Sequence, residues 1–218
     1  LAINAEGTGF LMQRYRGARA FFHMSSSSVY RVASNVPRPT KETDMLGGLA
    51  DYASDYSMSK LAAEAIVRFQ ARALALPTVI ARLDVAYGRR GHGGVPMLLF
   101  DLMEQGVAYT RAAAGDSFCT PIHEDDIIAM IPKLLELASV PATTVNWAGD
   151  QFISIQDWCA YLGSLVGREP VFEESDRALR GNPLDVSRMH ELIGTTTVDW
   201  RDGMRRMAAK FHPELVAL

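Results

Sequence analysis

The sequence predicts an α/β fold on two observations. Helix and strand signals alternate along the chain. Its 218 residues, 48% hydrophobic and 22% charged, have the composition of a globular protein with room for one full-sized domain or parts of two. In order, the periodicity predicts a helix over 7–16 and a strand over 20–25, where Phe21-Phe22-His23-Met24 runs into four serines. Residues 32–50, with Pro37, Pro39 and paired glycines, read as a long surface loop, and loops of that length are commonly functional. A helix over 57–74 carries Leu61, Ala62, Ala65, Ile66 and Phe69, apolar on more than one face. A strand over 78–83 follows, then helices over 95–105 and 124–138 and a strand over 144–147. Helices over 155–166 and 200–211 close the chain, with a weaker strand signal at 170–173 between them.

Composition narrows the partners. A net charge of −3 argues against a nucleic-acid surface. No apolar stretch approaches the length of a membrane span. Cys119 and Cys159 show no metal or redox spacing, and the five histidines lie far apart, so free thiols in a reduced, cytoplasmic compartment are expected and no metal is argued. His23 reads as a core residue. No secretory or transit pattern is read at the start.

Two pieces carry chemistry. The first is the hydroxyl cluster Ser25-Ser26-Ser27-Ser28 at the end of a buried strand. The second is Tyr56-Ser57-Met58-Ser59-Lys60 at the start of a helix, where positions four apart share a face. A phenol titrates near ~10 in water, and an adjacent ammonium favours the phenolate by roughly 1–3 units. A tyrosine beside a lysine is thereby a proton-transfer group usable near neutral pH. A serine at a neighbouring strand end can hold the substrate oxygen against that phenol.

In their order and setting these motifs resemble the extended short-chain dehydrogenase/reductase family, which includes NAD-dependent epimerases and dehydratases. Its strand-end Ser-Ser-x-x-Val-Tyr pattern matches Ser25 to Tyr30, and its tyrosine and lysine fall on Tyr56 and Lys60. Further resemblances are Asn4-Ala5-Glu6-Gly7-Thr8 (a helix start), Tyr87-Gly88 after a strand, Ile122-His123-Glu124-Asp125-Asp126 (a helix entry) and Val145 to Gly149 followed by Ser154-Ile155. The stretch through Trp200 to Gly203 resembles the family's closing helix.

The resemblance implies a partial doubly wound, Rossmann-like parallel sheet with a smaller C-terminal substrate lobe. Residues 1–87 would be the C-terminal part of the dinucleotide-binding domain, rejoined by 121–150, and 88–120 with 151–218 would form the substrate lobe. It implies Ser26, Tyr56 and Lys60 as catalytic residues and NAD or NADP as cofactor. Asn4, Met24, Ser25, Tyr56, Lys60 and the backbone near Leu83 would line the cofactor. A small-molecule substrate and a homodimer, built through the helices over 7–16 and 57–74, are implied as well.

Departures from the family pattern refine the expectation. The family opens with a strand and a Gly-x-x-Gly-x-x-Gly turn that cradles pyrophosphate. No such turn occurs here, so the chain is expected to be the C-terminal part of a longer protein and to hold NAD(P) poorly alone. The glycine-rich Gly88-Arg89-Arg90-Gly91-His92-Gly93-Gly94 lacks the phosphate-loop spacing and reads as a loop over the substrate cleft. Ser27 and Ser28 stand where sugar dehydratases carry acidic residues. Val85, with Asp84 beside it, and Cys119 stand where sugar-nucleotide epimerases carry an asparagine and an arginine. The expected chemistry is therefore hydride transfer on a small carbonyl or secondary alcohol. The alternatives are a sugar-nucleotide epimerase, or a non-catalytic fragment or interaction module.

Overall fold

The computed structural model describes residues 1–31, 38–47, 54–90, 93–111, 117–175, 178, 181 and 183–214. A π-helical turn, Ala2–Glu6, runs directly into α1 (Gly7–Arg14). Next come β1 (Phe21–Ser26), a short 3-10 turn at Ser27–Val29, α2 (Ser54–Ala73) and β2 (Thr78–Leu83). The chain continues through β3 (Ala86–Tyr87), α3 (Gly94–Glu104), β4 (Tyr109–Arg111), β5 (Phe118–Cys119), β6 (Ile122–His123) and α4 (Glu124–Glu136). It ends with β7 (Thr143–Trp147), β8 (Ile153–Ser154), α5 (Ile155–Val166), β9 (Phe172–Glu174), α6 (Ser187–Ile193) and α7 (Trp200–Phe211).

The main sheet is parallel, in the order β1-β2-β7, with Ser26 opposite Leu83 and Arg82 opposite Asn146. Parallel neighbours require crossovers, and α2 and α4 supply them. The central strand β2 is buried on both faces, as a strand covered by helices on both sides must be. Alternation sends Val79 and Ala81 to one face and Ile80 and Arg82 to the other. Val79 and Ala81 join Met130 and Leu134 of α4 and Met189 and Ile193 of α6. Ile80 joins Met12 of α1 and Val67 and Ala71 of α2. The two helices on that side pack closely: a Cβ added at Gly9 would lie 2.9 Å from the Ile66 side chain.

A second apolar core lies among α3, α5 and α7, built on Phe100, Trp158, Leu162, Met204 and Met207. Three two-stranded ladders accompany it: β3-β6 and β4-β9 are parallel, β5-β8 antiparallel. Apart from β9, the strands of these ladders and α6 are absent from the sequence reading, because strands of two or three residues and a seven-residue helix leave little periodicity to detect. The helix expected to begin at 57 already includes Ser54, and the strand expected at 170–173 lies at Phe172–Glu174.

Of the loop expected over 32–50, residues 32–37 and 48–50 lie outside the described residues. Residues 38–47 are tied to the sheet. Arg38 makes a two-pronged pair with Asp44, and the Asn146 amide donates to the Glu42 carboxylate at 2.8 Å. The Asn146 side chain donates to the Thr40 and Asp185 carbonyls. Glu42 meets β7 on the side facing away from β2, where Arg188 also reaches the Thr144 carbonyl.

Candidate active site

Open α/β sheets bind ligands beyond the carboxyl ends of their strands. There β1 ends in Ser26, whose hydroxyl oxygen accepts from the Ser28 amide at 3.2 Å and so caps the short turn that follows. Tyr56 lies in the first turn of α2 and is half exposed. Lys60, one turn later, places its ammonium 5.7 Å from the centre of the Tyr56 ring. The same ammonium donates to the Met24 carbonyl at 2.9 Å. The phenol and the end of β1 thus share one cation. Burial lowers the Lys60 pKa below its ordinary value, yet the group keeps a carbonyl partner that favours the charged form.

Asn4 supports this turn from behind. Its side-chain amide donates to the Ser59 hydroxyl at 2.9 Å, and Ser59 donates to the Tyr56 carbonyl at 2.7 Å. The π-helical turn at Ala2–Glu6 is what presents Asn4. Leu83 sits beside Ser26 in the sheet register, at the rim of the same crevice. The structure therefore brings Asn4, Met24, Tyr56 and Lys60 together at the end of β1, with Ser26 and Leu83 as register neighbours. Ser25 differs from the rest: its side chain is buried and donates to the Glu64 carboxylate at 2.7 Å.

Three features of the site were missed from sequence. The first is a buried ion pair, Glu64 with Arg82, joined by two bonds of 2.9 and 2.8 Å. Both side chains are only 2% exposed. Burial pushes the Glu64 pKa up, but the Arg82 guanidinium and the Ser25 hydroxyl outweigh it and hold the carboxyl below its ordinary value. Arg82 also donates to the Tyr30 hydroxyl at 2.9 Å, and Tyr30 donates to Asn146 at 2.6 Å. Burial is the main reason the Tyr30 phenol is pushed up to about 12. The signals were a charge inside the apolar run Val79 to Leu83 and an acid one turn after Lys60. A buried charge demands a partner.

The second is Asp84. Its carboxylate accepts from the Ser27 hydroxyl at 2.9 Å and from the amide and hydroxyl of Thr120 at 2.7 and 2.8 Å. Burial raises its pKa against those hydrogen bonds. A carboxylate thus stands beside Ser27, delivered from β2 rather than from β1. Cys119, in the position resembling the family's arginine, is buried in the second core.

The third is Glu124, whose carboxylate accepts the amides of Arg89 and Arg90 at 3.0 and 2.9 Å. A Cβ at Gly88, whose φ is +157°, would lie 2.5 Å from Glu124, so glycine permits this approach. The described part of the glycine-rich loop therefore clasps a carboxylate of its own chain. Gly91 and His92 lie outside the described residues.

Fit to a nicotinamide cofactor is one-ended. Lys60, Tyr56 and the ends of β1 and β2 suit a ribose and a carboxamide, whereas the Arg89 and Arg90 amides of the glycine-rich loop are engaged by Glu124. Among the described residues no cluster of His, Cys, Asp or Glu is placed to hold a metal, and no helix is long and apolar enough to cross a membrane.

Known structures share this fold. The structure superposes on UDP-glucose 4-epimerase from Thermotoga maritima with a TM-score of 0.81 at 21% identity, covering 98% of this chain and 71% of that one. UDP-glucuronic acid 4-epimerase from Bacillus cereus, in complex with UDP-glucuronic acid and NAD, also gives 0.81, at 22% identity over 97% of this chain and 68% of that one. At such identities the likeness establishes the fold: a Rossmann-type sheet. An uncharacterised protein of Sinorhizobium fredii, y4nG, is 30% identical over 130 residues, and the chain spans 31% of its length. The model of the NAD dependent epimerase/dehydratase family matches residues 1–145, the stretch holding β1, α2, β2 and every residue gathered around Lys60. The chain belongs to the NAD dependent epimerase/dehydratase family.

Proposed function

We propose that the chain carries the catalytic side of an NAD(P)-dependent oxidoreductase acting on a small carbonyl or secondary alcohol. The observation that carries this reading is the Lys60 ammonium held between the Met24 carbonyl and the Tyr56 ring. In the oxidising direction Tyr56 accepts the proton of the substrate hydroxyl, and in reduction it returns it. Lys60 stabilises the negative charge on the phenol oxygen and holds the nicotinamide ribose. Ser26 donates a hydrogen bond to the same substrate oxygen. NAD(P), when bound, supplies the hydride acceptor or donor. Residues 1–87 and 121–150 form the cofactor side, and 88–120 with 151–218 the substrate side.

The choice of substrate rests on the side chains available to grip it. Val85 and the buried Cys119 offer no grip on a diphosphate, and the Asp84 carboxylate is taken up by Ser27 and Thr120. The likeness to UDP-sugar epimerases supports a second reading, in which the same three residues oxidise and re-reduce a sugar-nucleotide carbon. Turnover separates the two: a dehydrogenase changes the NADH absorbance stoichiometrically with substrate, an epimerase does not. In the full-length protein Tyr56→Phe should abolish turnover and leave NAD affinity within about twofold. Wild-type rates in that variant would refute the catalytic assignment.

A further inference from the structure

We propose that Ser25 and Glu64, backed by Arg82, are positioning residues that set Tyr56 against Ser26. This inference rests on the catalytic reading of Tyr56 and Lys60 and extends it to residues that touch neither substrate nor cofactor.

The argument is one of register. Tyr56, Lys60 and Glu64 are spaced four apart along α2 and share one face. Lys60 binds the carbonyl of Met24, and Glu64 accepts from the hydroxyl of Ser25, the next residue of β1. Two rungs one helical turn apart therefore join α2 to two consecutive residues at the strand end. Ser26 comes next on the strand, and Tyr56 comes one turn earlier on the helix. With both rungs closed, neither sliding nor rotation of α2 is free to change the distance between phenol and serine. Lys60 alone is a weak clamp, since its flexible stem tolerates small shifts. The Glu64 rung is stiff, because the two-pronged bond to Arg82 fixes the carboxylate. Arg82 belongs to β2, where it is fastened to Tyr30 and to the Glu42 carbonyl. The frame that aligns the helix is therefore the sheet itself.

A purely structural ion pair would affect folding alone. The positioning role is tested in the full-length protein with Ser25→Ala, which removes the rung and leaves the ion pair in place. The expected result is a fall of about tenfold in kcat, with KM for NAD within twofold and a thermal midpoint within about 3 °C of wild type. Amide exchange should accelerate at residues 56–60 and not at 66–73. Ser25→Thr, which keeps the hydroxyl, should restore the rate. The Glu64→Met, Arg82→Met pair removes both charges together and should lose kcat while remaining folded. Wild-type kcat in Ser25→Ala, or a loss confined to KM for NAD, would overturn the proposal, and the second outcome would return Ser25 to the cofactor contacts. Tyr56→Phe in the same assay separates the two claims: if it is inactive while Ser25→Ala is unimpaired, only the positioning role falls.

Discussion

His23 makes the stability of this fold sensitive to mild acid. The ring is 6% exposed within β1, and its Nε2 has no hydrogen-bond partner among the described residues. Burial, reinforced by the nearby Lys60 ammonium and partly opposed by Glu64, lowers its pKa from 6.5 to about 4. The unfolded chain takes up a proton on this histidine as the pH falls through 6.5, and the folded chain does not until about 4. Stability is therefore complete above 6.5 and is lost as the pH falls towards 4. At about 1.4 kcal/mol per pH unit the full loss is about 3 kcal/mol, of which about 2 falls between pH 7 and pH 5, above the range of ordinary carboxylates. Urea unfolding of the full-length protein at pH 7 and pH 5 measures it, with His23→Leu as control. His123, also lowered chiefly by burial, contributes in the same direction and remains in the control. The wild type should lose about 2 kcal/mol more than the variant does. Equal pH dependence in the two proteins would refute the assignment to His23.

Two further outcomes are expected. The helix pair α1 and α2 exposes Phe10 (68%), Leu11 (52%) and Phe69 (66%), an apolar face suited to a second copy. Light scattering of the full-length protein at micromolar concentration should show a dimer that Phe10→Glu with Phe69→Glu converts to monomer, and a wild-type monomer would exclude it. Titration calorimetry of the 218-residue chain with NAD should show binding no tighter than about 100 μM, because the described residues at the site, Lys60 and Tyr56 among them, suit the nicotinamide end of the cofactor. Micromolar affinity would place the cofactor elsewhere.

What the sequence made legible was whatever rests on a period or a local motif. The strands at 78–83 and 144–147 announce themselves as β-branched runs, and Tyr56 and Lys60 by a spacing that a helix turns into proximity. Ser25 shows the limit. Its place in a serine cluster groups it with Ser26, yet alternation along a strand sends neighbours to opposite faces, and its partner Glu64 lies 39 residues away. Asp84 is similar: its bonds to Ser27 and Thr120 span 57 and 36 residues, distances at which no periodicity operates. Long-range polar pairing needs the fold before it can be read.

The two margins of the sheet differ in their openness to growth. Along β7 the outward amide of Asn146 is closed by the Glu42 carboxylate and the outward carbonyl of Thr144 by the Arg188 guanidinium, two charged stoppers against a templating strand. The opposite margin is β1, met by Lys60 at Met24 near its end and by no other such charged stopper among the described residues. A strand paired along β1 would meet, at Met24, the ammonium that stands beside Tyr56. Completion of the sheet and completion of the site would then be a single event.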